Sequence, residues 1–300
     1  MSTPINKSVS VIIPTLDAEK DLPDILSALE TQSYPVSEII IVDSASSDKT
    51  VSICESNQNV KLIQIKREDF DHGKTRDMAF RESSGDIVIF MTQDAIPTDK
   101  SFIGNLIEPL HDPKVAVSVG RQVPKQNAGK TEKLVRNFNY PPESYIRSET
   151  DISSIGIKAF FSSNSCAAYR KDIYMKLGGF DYPVKTNEDM FYAAKALHSG
   201  YCVAYTAGAQ VYHSHNFTLK EQYRRNYLQG YEIERHRELL DCELFPEGMK
   251  LVQYVSCELL KDRDIASLVG FGFDCCARFL GNKAGIKAYR KEQRTHDGNK

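Results

Sequence analysis

Tryptophan is absent from this chain of 300 residues, and neither sign of charge dominates it. Lys plus Arg number 38 against 40 Asp plus Glu, a formal net charge of -2. Without a basic excess nothing advertises nucleic acid, and no nucleic-acid partner is expected. Cysteine is scarce and unpaired in its spacing. Cys54, Cys166, Cys202, Cys242, Cys257, Cys275 and Cys276 make an odd count with no C-x-x-C pair. That argues against a disulfide framework and a zinc site, and suits thiols kept reduced in a cytosol. Long apolar runs are missing too. The longest stretch free of Asp, Glu, Lys and Arg, Ala196 to Leu219, holds Ser199, Gly200, Gln210, His213, His215 and Asn216, too polar to span a bilayer. The opening MSTPINKSVSVIIP has no basic start followed by a sufficient apolar run, so it does not read as a secretory signal. A cytoplasmic location is expected, with contact to the cytoplasmic face of the plasma membrane left open. No internal repeat or low-complexity segment stands out. What remains is 41% hydrophobic and 26% charged, ordinary for a soluble globular protein with a full core.

The first hundred residues alternate strand and helix signals. Val9–Ile13, Ile39–Val42, Val60–Ile65 and Ile87–Met91 are short β-branched or apolar runs. Between them, Leu22, Ile25, Leu26 and Leu29 fall at i, i+3, i+4 and i+7, a helix carries Val51 and Ile53, and Gly73 to Ser83 reads as another. Phe102, Ile103, Leu106, Ile107 and Leu110 stripe the next helix. This order predicts an α/β fold, a Rossmann-like and mostly parallel sheet flanked by helices. Ligands of such sheets sit beyond the carboxyl ends of the strands. Those ends carry Thr15 and Asp17, Asp43 and Ser44, Glu68 to Arg76, and Gln93 with Asp94. A polar residue after one strand is a turn; four such loops on one edge form a nucleotide-sized crevice. Residues 121–158 lack clean periodicity and read as a connecting or acceptor-facing segment. Structure resumes at Ala159 to Tyr169, with a Gly-Gly-Phe-Asp turn at 178–181, a helix from about Asn187 to His198 and a strand at Val203 to Val211. Beyond about residue 220 the chain is helical in character, so 1–220 is read as one domain built around that crevice and 221–300 as a C-terminal helical appendage.

Five clusters can carry chemistry. Asp94, exposed at a sheet edge, can hold Mg2+ or Mn2+ against a diphosphate, hard cations that take oxygen ligands; it can equally form a turn. His72 and Gly73 followed by Arg76 place amides and a guanidinium at a helix start, where an anion is favoured, or else a solvated helix face. Asn187 can cap a helix whose first turn holds Glu188 and Asp189, and such acidic residues suit a helix start for structural reasons alone. His213 and His215 point to one side of a strand and can chelate a metal, or simply end it. Ser163-Asn164-Ser165 can admit a sugar to the backbone, while Cys166 and Ala167 can pack in a core.

Beyond residues and spacing lies a likeness. Pro14-Thr15-Leu16-Asp17, Gln32-Ser33-Tyr34-Pro35 and Val42-Asp43-Ser44-Ala45-Ser46-Ser47-Asp48 resemble, in order and spacing, the opening of inverting family 2 glycosyltransferases with the GT-A fold. The chain departs from that pattern at Asp17, where the family has Asn, and at Ser44, where it has a second Asp. Which of Asp43 and Ser44 meets the base stays open. Thr92-Gln93-Asp94 stands where the family has its metal-binding D-x-D or D-D motif. Phe70-x-His72-Gly73-x-Thr75-Arg76 and Gln93-Asp94-Ala95 resemble the rhamnosyltransferase branch.

The resemblance covers about residues 8–235. It implies dTDP-L-rhamnose as donor and a lipid-linked saccharide of a bacterial surface polysaccharide as acceptor. It makes Asp189 the catalytic base, with Glu188 orienting the loop or an acceptor hydroxyl, Arg76 on the diphosphate, and Asp94 on Mg2+ or Mn2+. His213, with His215 as the alternate, reaches the metal or diphosphate, and Arg224 with Arg225 form a basic pair near it. A UDP-hexose or UDP-N-acetylhexosamine donor, or a non-catalytic nucleotide-sugar module, are the competing readings. A nucleotidyltransferase would want a Gly-rich basic loop after the first strand, where this chain has PTLDAEKD. Finally, Leu268, Val269, Phe271, Phe273, Phe279 and Leu280 precede a basic tail of Lys283, Lys287, Arg290, Lys291, Arg294 and Lys300, set against Glu292 and Asp297. This segment suits a membrane surface, a helix pair packed on the domain or a homodimer contact alike.

Overall fold

Alternation along the central strands sends successive side chains into opposite layers, and the two layers define the molecule. In the computed structural model, which describes residues 7–242 and 245–297, strand β1 (Val9–Thr15) puts Val9, Val11 and Ile13 on one face and Ile12 on the other. Its neighbours β2 (Glu38–Asp43), β3 (Val60–Gln64) and β4 (Ile87–Met91) lie parallel to it in the order β3-β2-β1-β4. Helices α1 (Leu22–Glu30), α2 (Thr50–Ser56) and α3 (His72–Glu82) are the crossovers. The first layer buries Leu22, Ile25, Leu26 and Leu29 of α1, the predicted stripe, together with Phe102, Ile103 and Leu106 of α4 (Phe102–Ile107). Each such side chain stabilises the fold by about 1.5–3 kcal/mol.

The parallel register stops at β4. After β5 (Ile96–Pro97) and β6 (Val115–Val123) come helix α5 (Lys130–Asn139), β7 (Tyr145–Arg147), α6 (Ile152–Ile155) and β8 (Cys166–Arg170). Strand β8 runs antiparallel to both β4 and β6, so the sheet is parallel in its first half and mixed beyond it. The segment 121–158, read as a connection, therefore holds the end of β6, all of α5 and α6, and β7. The antiparallel direction matters: Met91 at the end of β4 pairs with Cys166 at the start of β8, which brings Ser163–Ser165 to the carboxyl edge of β4.

Next come α7 (Lys171–Lys176), α8 (Glu188–His198) and β9 (Cys202–Tyr212), the last parallel to β6 and antiparallel to β5 and β7. Beneath α8 lies an aromatic floor in which Phe80 stacks on Tyr174 at 3.6 Å and Tyr174 on Tyr192 at 5.0 Å. The Tyr174 hydroxyl donates to Asp77 and accepts from the Phe180 amide, tying α3 to the Gly-Gly-Phe-Asp turn ahead of α8. The chain ends in α9 (Leu219–Arg235), α10 (Arg237–Leu240), α11 (Phe245–Lys261) and the long α12 (Ile265–Asp297), joined to α5 by a small core of Val135, Val255, Leu259 and Phe271. No described helix is long and apolar enough to cross a membrane. Residues 1–6 of the opening segment and Lys300 of the basic tail lie outside the described residues.

Candidate active site

Two strand pairings place the first half of the site. Strand β5 begins two residues after Asp94 and pairs Ile96 with Tyr212, which sets Asp94 beside the residues that follow β9. Asp94 Oδ1 lies 3.3 Å from His213 Nε2 and its Oδ2 lies 3.4 Å from His215 Nε2. The two imidazole Nε2 atoms are 3.0 Å apart. Two nitrogens and a carboxylate converging this closely form the one candidate metal cluster found among the described residues. Both histidines contribute, so His215 joins His213 instead of replacing it. Burial raises the Asp94 carboxyl, but the His213 hydrogen bond and the charges of His213 and His215 outweigh it and hold Asp94 well below the usual carboxylate range. Burial and His213 push His215 down to about 4, so at neutral pH its nitrogen lone pair is free of a proton.

Behind this cluster stands Gln122 on β6, a residue the sequence offered no reason to choose. Its Oε1 lies 2.8 Å from His213 Nδ1 and also takes a hydrogen bond from Arg136 of α5, which Glu132 holds at 2.7 Å. A hydrogen-bond partner at Nδ1 fixes the ring orientation that aims Nε2 at Asp94. Gln122 Nε2 donates to Ser163 Oγ at 2.8 Å. The next residue, Asn164, gives its backbone amide to Asp189 Oδ2 at 2.8 Å and its side-chain amide to Glu188 Oε1 at 3.0 Å. A continuous run of polar contacts thus joins Asp94 to Asp189 through His213, Gln122 and Ser163-Asn164.

The second half sits at the start of α8. Asn187 occupies the cap position in the left-handed region (φ 67°) and its side chain makes no capping bond. Glu188 is buried 3.2 Å from Arg76. Burial opposes its charge, yet Arg76, His72 and the Asn164 amide prevail and keep Glu188 ionised below the ordinary range. For Asp189 burial comes first and the Glu188 charge second, and together they push its carboxyl up to about 7.

At the start of α3, where an anion site was expected, the backbone donors and Arg76 have partners within the protein. Asp71 caps that helix, accepting from the Gly73 amide at 3.0 Å and the Lys74 amide at 2.8 Å, so those donors are spent. Gly73 is there for space: a Cβ would collide with the Asp181 carbonyl oxygen of the turn before α8. Arg76 faces His72 and Glu188, its charge committed inside the fold.

The loops at the carboxyl ends of β1, β2 and β4 are cross-braced. Asp43 is fully buried, accepting from Thr15 Oγ1 at 3.1 Å, from the Ser46 amide at 3.0 Å and from the Ser46 hydroxyl. Ser44 keeps a buried hydroxyl with no partner in the structure. Asp17, also left-handed (φ 52°), receives the Ser47 amide at 2.8 Å. Gln93 pairs both ends of its amide with the Leu16 backbone, at 2.7 and 2.9 Å. On α9, Arg225 lies 4.1 Å from the Phe217 ring centroid, and that ring lies 4.8 Å from His215; Arg224 is exposed on the same helix. A cavity of about 500 Å3 opens beside His215, walled by α5, residues 215–219 and the first turns of α12.

Known proteins resemble this chain in sequence and fold. Residues 10–178 match the model of glycosyl transferase family 2. Over 223 residues the chain is 41% identical to the O-antigen chain rhamnosyltransferase RfbN of Salmonella typhimurium, covering 74% of this chain and 71% of that protein. It is 39% identical over 225 residues to the O-antigen chain rhamnosyltransferase WbaN of Salmonella anatum, with the same coverage of each. Among solved structures, the mannosyltransferase PcManGT of Pyrobaculum calidifontis, in complex with GDP-Man and Mn2+, superposes with a TM-score of 0.61 at 18% identity, over 94% of this chain and 84% of that one. The fold is that of the GT-A glycosyltransferases. With more than half of its length matched by the family model and the fold in agreement, the chain belongs to glycosyl transferase family 2.

Proposed function

We propose that the protein transfers L-rhamnose from dTDP-L-rhamnose to a hydroxyl of a lipid-linked oligosaccharide during surface polysaccharide synthesis, inverting the anomeric configuration. The observation that carries the reading is the polar run from Asp94 to Asp189, which sets a low carboxylate beside two imidazoles at one end and a carboxyl raised to about 7 at the other. The names of the two Salmonella relatives support the sugar.

Asp94, His213 and His215 would hold a divalent cation, and two imidazole donors favour Mn2+ over Mg2+. A cation held by these three residues would supply charge neutralisation at the departing diphosphate. Asp189 in its carboxylate form accepts the acceptor's hydroxyl proton while that oxygen bonds to the anomeric carbon. The bond from that carbon to the dTDP oxygen breaks, and dTDP leaves with the electron pair. A base near neutrality suits this task, since it is unprotonated often enough to act and basic enough to pull. Glu188 and Arg76 act through Asp189, fixing the charge beside it. Asp17 and Ser44–Ser47 would line the nucleotide, with Asp43 and Gln93 bracing them from behind, Thr15 assisting Asp43, and Arg225 nearer than Arg224 to the diphosphate. Residues 1–220 form the catalytic unit in this reading and 221–300 its appendage.

The test is purified protein with a panel of nucleotide sugars and short lipid-linked acceptors, read by mass spectrometry, beside calorimetry with dTDP and UDP. Rhamnose transfer with dTDP preference is expected; clear preference for UDP overturns the donor.

A further inference from the structure

Helix α12 has two unlike outward halves. At 100° per residue, Ile265, Val269, Phe273, Cys276 and Leu280 fall within one quarter of the helix circumference. Ile265 is 57% exposed, Val269 54%, Phe273 61% and Leu280 58%, a ridge of large apolar side chains in solvent. Continuing along the same face, the ridge gives way to Lys287, Arg290, Lys291 and Arg294, all exposed. From Ile265 to Arg294 the face runs about 44 Å at 1.5 Å per residue.

Two carboxylates of the helix, Asp274 and Glu292, turn away from this face. Asp274 looks into the cavity beside His215 and pairs with Arg278 at 2.6 Å. Glu292 turns toward α9 and accepts from Tyr231 at 2.6 Å. One cation of the face, Arg290, is shared with Glu234 of α9 at 2.7 Å. An apolar ridge running into a cationic stripe with no carboxylate among its described residues is complementary to one thing above all, a bilayer with anionic headgroups. Apolar side chains enter the acyl boundary and the cations meet phosphates. A second copy of the chain would have to bury or repel these same cations.

We propose that the outward face of α12 is the surface by which the protein docks on an anionic phospholipid membrane, lying on it without crossing. Opposite this face, Ser267, Gly270, Phe271, Asp274 and Arg278 wall the cavity beside His215, so docking would set the candidate active site one helix diameter from the lipid. The proposal rests on the lipid-linked acceptor reading for its biological sense; its physics is independent of which sugar moves.

The experiment is vesicle co-sedimentation of the full-length protein, without substrates. Vesicles of phosphatidylethanolamine with phosphatidylglycerol are compared with phosphatidylcholine alone, at low and high salt. Binding to the anionic vesicles, weakened by salt, is expected. Phe273→Glu with Leu280→Glu should abolish it, and Lys287→Gln and Lys291→Gln should each weaken it about fivefold, the worth of one cation at such a surface. Circular dichroism confirms that each variant is folded, and dTDP calorimetry reports separately on the donor reading. Equal binding to both vesicle types, binding unchanged in the Phe273→Glu and Leu280→Glu variant, or a wild-type dimer in sedimentation velocity that this variant dissociates would each overturn the proposal.

Discussion

The two carboxylates at the ends of the site's polar run are opposites made from the same side chain. Asp94 is flanked by two imidazoles and held ionised at any ordinary pH. Asp189 is half-buried next to an ionised Glu188 and held near neutrality. Neither difference comes from the aspartate. It comes from what the fold lays beside each, and it divides the labour: one end keeps a fixed negative charge for a cation, the other keeps a proton in play.

The hardest blow to this comparison is Asp189→Asn. It keeps the shape and removes the base, so transfer should fall by about 10²–10⁴-fold while calorimetry still detects nucleotide binding. Near-normal turnover would end the assignment. At the opposite end, Asp94→Ala should remove Mn2+ binding, read by the broadening of the Mn2+ spin-resonance signal, and with it the metal response of the rate. Gln122→Leu touches neither carboxylate. It frees the His213 ring and should weaken Mn2+ by about 10–100-fold, the range for losing a ligand's outer partner. An unchanged metal affinity would show that Gln122 only fills space.

The smallest effect is the most diagnostic. With Asp189 at about 7, kcat/KM should climb about tenfold per pH unit below that point, as the proton leaves the base, and level off above it. Glu188→Gln removes a charge that raises Asp189, so the inflection should move to lower pH. A shift upward, or none, would mean that Glu188 does not set the proton affinity of its neighbour.

How much of this was legible beforehand depends on range. Strand β4 is Ile87–Met91 as its apolar run predicts, and α1 buries the four residues of its stripe, because both are read from neighbours along the chain. Helix α5 escaped notice because only Val135 of its ten residues is buried, too little to show a period. The direction of β8 is written nowhere in its own sequence. The site divides likewise. Asp94, His213, Glu188 and Asp189 are polar residues at element ends and could be singled out. The Gln122 contact with His213 spans 91 residues and comes from the pairing of β6 with β9. The cap of α3 was legible as well: Asp71, one residue upstream of His72, is a residue type that favours a helix start.

One contact in the appendage bears on everything upstream. Gly281 and Gly285 of α12 lie against the Tyr223 and Tyr227 carbonyls of α9, and Gly230 of α9 lies against the Asn282 backbone. Main chain rests on main chain there, with no side chain between to absorb a change. A single methyl group at any of the three would pry the pair apart, and α9 begins only four residues beyond His215. The two helices therefore hold each other by backbone contact over residues 223–230 of α9 and 281–285 of α12.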